Sequence, residues 1–157
     1  MPRKDLPMNK PDFHGKKICI GADHGGFRLK DYLGSIMEGW GMLVADMGTN
    51  SEDSVDYPDY AAKVAKAVSD GDFESGLLVC GTGLGMSMMA NRQKGVRAAL
   101  CTSGYMARMA RAHNDANVLC MGQRVLGRGE AEDILRVFLS TDFEAGRHAR
   151  RIAKFDQ

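Results

Sequence analysis

The stretch "LLVCGTGLGMSMMANR", Leu77 to Arg92, places a thiol, Cys80, at the end of an apolar run and directly before Gly81, Thr82, Gly83, Leu84 and Gly85. A glycine-rich turn that runs into a helix aims several backbone N–H groups at one point, an anion hole suited to a phosphate or a developing oxyanion. Such a field favours a thiolate, so Cys80 is a candidate base or nucleophile. The glycines spell GxGxG rather than GxGxxG and follow the third apolar run, which argues against a dinucleotide site. No Gly-Lys-Ser/Thr follows, which excludes a P-loop, and Met86 stands where a cysteine phosphatase would need arginine. The competing structural reading is a tight turn with a buried cysteine. Asp23 and His24, beside Gly25 and Gly26 at the end of another apolar run, weigh against it. Core packing has no use for two ionisable groups there.

Two further groups carry polar chemistry. "ARAHNDANV" puts His113 and Asn114 at the end of a helical stretch, where a histidine can simply be a cation favoured by the dipole. "EAGRHARRIAKF" carries Arg147 and Arg151 four apart, on one helical face. Two guanidinium forks so placed suit a phosphate, and Arg124 in "MGQRVLG" could join them. Arg150 and Lys154 read as a solvated basic face, and Arg92, Arg97, Arg108 and Arg111 as surface or salt-bridge residues.

Short apolar runs must position these groups. Strands are expected at Lys17–Ala22, Met42–Asp46, Gly76–Cys80, Val96–Cys101 and Asn117–Met121. Helices are expected at about 26–39, 58–69, 84–92, 103–113 and 128–140. Pro58 suits the first turn of the second helix, with Asp56 as its cap. Five β-α units argue for an α/β fold, a five-stranded parallel sheet covered by helices on both faces. Ligands then collect at the carboxyl ends of the strands, where Asp23, the "MGTNSEDSVDYPDY" loop and Cys80 converge. A helix of eleven residues carries the chain ~16 Å back to the amino edge. His113 should therefore not reach Cys80 of its own chain, and a site using both is shared between two chains.

The chain has 157 residues, 44% apolar and 26% charged, with a formal net charge of +1. That balance gives no bulk electrostatic case for nucleic acid or membrane binding, and no apolar run approaches a membrane span. Residues 1–15 are expected to be a mobile extension and 16–157 a single domain. The four cysteines match no metal spacing, so no metal site is expected. Cys19, Cys101 and Cys120 read as buried, inert thiols, and free thiols point to a cytoplasmic setting.

A phosphate clamp, an anion hole, a thiol base and an imidazole acid suit proton abstraction beside a carbonyl, with aldose–ketose isomerisation of a sugar phosphate fitting best. The segments "ADHGGFRLK", "GTNSEDSVDYPDYA", "VCGTGLGMSMMANR", "GVRAALC", "AHNDANVLCMGQRVLG" and "FEAGRHARR" resemble the ribose-5-phosphate isomerase type B family, which includes galactose-6-phosphate isomerase subunits. The match runs from about Lys17 to Lys154. The resemblance implies a Rossmann-like three-layer α/β/α sandwich, no cofactor, and a homodimer (or dimer of dimers) with sites shared between chains. It implies Cys80 as the base moving a proton between C1 and C2, with Thr82 and the N–H groups of Gly81, Thr82, Gly83, Leu84 and Gly85 holding the enediolate oxygens. His113 of a second chain would open the furanose ring, with Asp23 assisting at the hydroxyls. Asn114 would orient the substrate, His24, Arg124, Arg147 and Arg151 would hold the phosphate, and Tyr57 would line the pocket. Some members replace the cysteine by a glutamate at the position of Met86; here the cysteine is present and the glutamate absent. The expected reaction is ribose 5-phosphate ⇌ ribulose 5-phosphate. Alternatives are allose 6-phosphate, galactose 6-phosphate or a tetrose phosphate as substrate, or a non-catalytic sugar-phosphate sensor.

Overall fold

The computed structural model describes residues 12–157. Five strands, β1 (Lys17–Ala22), β2 (Leu43–Asp46), β3 (Ser75–Cys80), β4 (Ala98–Leu100) and β5 (Val118–Gly122), alternate with α1 (Phe27–Gly39), α2 (Tyr57–Ser69), α3 (Leu84–Ala90), α4 (Gly104–Asn114) and α5 (Arg128–Ser140). A short sixth helix, α6 (Arg147–Ile152), follows. All strand pairs are parallel, in the order β2-β1-β3-β5-β4.

The period of two along each strand sorts the core into two layers. Ile18, Ile20, Leu77, Val79, Leu119 and Met121 pack with Leu29 and Leu33 of α1, Ala107 and Ala110 of α4, and Ile134, Leu135 and Phe138 of α5. The alternate residues Cys19, Leu78, Cys80, Val118 and Cys120 pack with Val64 and Ala65 of α2 and Met86 and Ala90 of α3. Both sheet faces are thus covered, in the Rossmann-like α/β arrangement expected. From β1 the chain steps one way to β2, then back past β1 to β3. That reversal opens a crevice between the carboxyl ends of β1 and β3, where ligands of such sheets bind. Asp23 and Cys80 sit at those two ends.

Glycines let the two ends approach. A methyl group on Gly26, the residue capping α1, would lie 2.2 Å from the Val79 carbonyl oxygen. One on Gly122 would lie 2.6 Å from the Thr82 carbonyl carbon. Gly26→Ala is therefore expected to lower the melting temperature by about 5–10 °C, an overpacking cost of roughly 2–3 kcal/mol in a domain of this size. A scanning-calorimetry trace identical to the parent's would refute that contact.

Strands β2, β3 and β5 differ by one residue from their expected bounds, and α6 was not among the expected helices; further departures occur at β4, α3, Asp56 and residues 12–15. Strand β4 is shorter than Val96–Cys101 because the Arg97 N–H donates to Asn117 Oδ1 at 2.7 Å rather than to a ladder partner. Helix α3 stops at Ala90, and the Asn91 side chain turns to bridge the Ala98 N–H and carbonyl instead. Asp56 occupies the cap position of α2 but makes no side-chain capping bond. Residues 12–15, expected to belong to a mobile extension, are packed. Phe13 is 2% exposed and packs with its ring tilted 46° to that of Trp40, and the Gly15 N–H donates to the Gly41 carbonyl. The remainder of that extension, residues 1–11, lies outside the described residues. No described helix is long and apolar enough to cross a membrane.

Candidate functional site

Cys80 ends β3 and is 6% exposed. Its Sγ accepts the Gly83 N–H at 3.0 Å. The Gly83 backbone (φ +83°) supplies the left-handed turn that brings this N–H round. The other cysteines are different in kind. Cys19 sits with its sulfur against the Val64 and Ser75 carbonyls, where only a protonated thiol can bond. Burial pushes its pKa up to about 12 and that of Cys101 to about 11, and also raises that of Cys120. These are the inert core thiols that their apolar sequence settings suggested.

Asp23, 8% exposed, follows β1 and accepts the Gly25 N–H on Oδ1 at 2.9 Å. Its own N–H reaches the Val79 carbonyl at 3.3 Å, and Gly25 lies against the Gly81 backbone, so the Asp23 turn and the Cys80 turn are in contact. His24 Nδ1 accepts the Val55 N–H at 3.2 Å. That bond ties the 47–56 loop to the site and, in the neutral ring, puts the proton on Nε2. The Tyr57 ring covers Gly85 so closely that a Cβ there would fall 2.6 Å from Cε2. Thr82 Oγ1 accepts the Leu84 N–H at 3.2 Å, leaving its O–H to donate elsewhere. The Arg124 N–H holds the Gly81 carbonyl at 3.0 Å, and its exposed guanidinium lies over Gly81. Asp23, His24, Tyr57, Cys80, the Gly81–Gly85 turn and Arg124 therefore form one group at the carboxyl edge.

The other sequence-selected residues form a second group. Helix α4 begins beyond the carboxyl end of β4 and runs back, so His113 and Asn114 lie at the amino edge, just ahead of β5. Arg147 and Arg151 accompany them. The Glu144 N–H donates to the Ala112 carbonyl at 3.0 Å, fastening the segment before α6 onto the end of α4. The His148 ring stacks on that of His113, centroids 4.1 Å apart. Within one chain, then, Arg124 does not join the Arg147–Arg151 pair; it belongs with Cys80.

Several positioning residues escaped sequence reasoning. Gln123 bonds the Cys80 carbonyl through its N–H, and its side-chain oxygen receives the Leu29 N–H at 2.9 Å, joining the Cys80 turn to the first turn of α1. Lys30 is fully buried, with Nζ on Asp46 Oδ2, while Asp46 Oδ1 receives the Gly48 N–H. That pair anchors the loop leading to Val55. A lone glutamine in "MGQRVLG" carries no spacing signal, and a lysine on an apolar helix face reads as an exposed residue. Near the loop, Tyr57, Leu84 and Met88 stand 40%, 50% and 67% exposed, an apolar surface beside the polar crevice.

A family model described as Ribose/Galactose Isomerase matches residues 18–155. Ribose-5-phosphate isomerase B of Escherichia coli is 44% identical over 137 residues, 87% of this chain and 92% of that protein. Among solved structures, ribose 5-phosphate isomerase B of Thermotoga maritima superposes with a TM-score of 0.90 at 51% identity, covering 91% of this chain and 99% of that one. Ribose-5-phosphate isomerase B of Mycoplasma genitalium, with ribulose 5-phosphate bound, gives 0.85 at 42% identity, covering 90% and 94%.

Proposed function

The chain belongs to the ribose/galactose isomerase family, and from that premise we propose that it interconverts ribose 5-phosphate and ribulose 5-phosphate with Cys80 as the base. It is a sugar-phosphate isomerase; the pentose and the roles below are our reading. The observation that carries it is the Cys80 sulfur, which accepts a backbone N–H beside the Asp23 carboxylate at the β1/β3 crevice. The ribulose 5-phosphate bound to the Mycoplasma genitalium relative supports the choice of sugar.

Ring opening needs an acid at the ring oxygen and a base at the anomeric hydroxyl. His113 of a second copy supplies the acid and Asp23 assists at the hydroxyl. In the open-chain aldose, the Cys80 thiolate removes the C2 proton. The C–H electron pair forms the C1=C2 bond, and the carbonyl electrons move onto O1. The N–H groups of Gly81 to Gly85 and the Thr82 hydroxyl hold the cis-enediolate oxygens. Transfer of the O2 proton to O1 and return of the proton from Cys80 to C1 give the ketose, with no change in overall oxidation state. Asn114 orients the substrate, and Tyr57 walls the pocket. His24, through Nε2–H, and Arg124 on one chain, with Arg147 and Arg151 on the other, bind the phosphate. A second copy of the chain is also what the exposed Tyr57, Leu84 and Met88 call for.

The test is turnover of ribose 5-phosphate beside allose 6-phosphate, galactose 6-phosphate and erythrose 4-phosphate, with EDTA present. The pentose is expected to give the highest kcat/KM, with activity unaffected by the chelator. Activity confined to another sugar would overturn the substrate assignment, and silence on all four would overturn catalysis by this site.

A further inference from the structure

His113 does not stand alone. Its Nε2 lies 3.7 Å from Glu144 Oε2, and His148 Nε2 lies 3.7 Å from the same oxygen. The two imidazoles stack at 4.1 Å with only 12° between their planes. We propose that Glu144 and His148 are positioning residues that keep a single proton on His113, so that the proton donor is held ready by a shared carboxylate and a stacked neutral ring. This rests on the reading of His113 as the acid.

The geometry argues for one proton in the trio. Two imidazoliums stacked at this spacing would repel, and one carboxylate cannot compensate both. The proton falls to His113 because the surroundings of the two rings differ. His148 is 7% exposed and sits among the α6 guanidiniums. Burial, then His113 and Arg147, and to a lesser degree Arg151, lower its pKa, against the opposing pull of Glu144. His113 is more exposed and occupies the last turn of α4, where the helix dipole favours a cation. The charged groups around the pair come from three elements. Helix α6 presents Arg147 and Arg151, and the preceding segment presents Glu144. At the end of α4, Arg111 pairs with Asp115, the residue just beyond the helix, which also pairs with Arg97. Helix α5 brings Asp133 near α4 only at Gly104, the opposite end.

The same three side chains resemble a metal-ligand set in composition, but not in direction. A metal would have to lie about 2.1 Å from each nitrogen and close to both ring planes. Two nearly parallel planes separated by a stacking distance share no such point. The arrangement suits a proton rather than an ion.

The chain has four histidines, His14, His24, His113 and His148, so each ring signal can be assigned by single substitution. The experiment is a histidine NMR titration of the full-length protein, run beside the pH profile of kcat for ribose 5-phosphate. His113 and His148 are expected to titrate in separate steps, with His113 holding its proton to the higher pH. In Glu144→Gln the His113 step should move to lower pH by about half a unit or more, as expected for loss of a partly exposed opposite charge. The alkaline limb of kcat should move with it, KM should change less than about twofold, and Glu144→Asp should restore most of the shift. A His113 curve indifferent to Glu144→Gln, or two rings titrating together, would overturn the proposal. Because the titration needs no turnover, it stands even if the sugar is wrong. A shifted titration with an unmoved kcat limb would instead count against His113 as the acid.

Discussion

Cys80→Ala is expected to lower kcat on ribose 5-phosphate by about a thousandfold, the scale of a lost proton-transfer group. No other described thiol replaces it: Cys19, Cys101 and Cys120 sit in the core with raised pKa values, and the fully buried Met86 carries no base. The substitution is small, yet it removes the acceptor for the Gly83 N–H. A structural cost of about 1–2 kcal/mol and a fall of a few degrees in melting temperature should accompany it. Affinity for inorganic phosphate, measured by calorimetry, should change little, because the groups proposed to bind it are elsewhere. Loss of turnover together with retained fold and retained phosphate binding identifies the sulfur as chemistry rather than packing. A Cys80→Ala protein that turns over near the parent rate would remove Cys80 as the base.

Mixing two dead proteins should revive activity. In one chain, Cys80 closes β3 at the carboxyl edge, and His113 lies on the last turn of α4 at the amino edge. Eleven residues of α4 separate those edges by ~16 Å. If each site takes Cys80 from one copy and His113 from the other, a Cys80→Ala/His113→Asn heterodimer holds one intact site and one doubly broken one. Half of the dimers in an equal mixture are hybrids, so co-refolded material should recover about a quarter of the parent activity in a two-fold symmetric dimer. Each variant refolded alone provides the baseline. No recovery after subunit exchange has been verified by mass spectrometry would mean that the site lies within one chain.

How much of this was legible beforehand follows from what local pattern encodes. The bounds of β1 and of α5 coincide with the expected spans residue for residue, because a period-two or period-3.6 apolar pattern carries its own ends. The opposite placement of Cys80 and His113 followed from helix length alone. Strand order did not, since β5 inserting between β3 and β4 leaves no trace in any one strand's alternation. The division of the arginines was equally hidden. Arg124 is placed by its backbone bond to Gly81, whereas Arg147 follows the segment that Glu144 ties to Ala112. Such long-range backbone bonds have no sequence signature. The pairing of His113 with His148 also required the turn of α6 back onto α4, which no spacing announces.

The close approach at Gly26 and Gly122 has a consequence for how this protein can diversify. In a saturation mutational scan read twice, once for abundance and once for growth on a pentose, those two positions should fail both readouts, because any Cβ collides with backbone. Cys80 should fail only the second. Invariance at the glycines would thus record the geometry of the crevice whatever sugar occupies it. Divergence between lineages with different diets would be written at Asn50, Glu52, Asp53 and Ser54 and in the apolar rim around Leu84 and Met88, where side chains face open space rather than a neighbouring main chain.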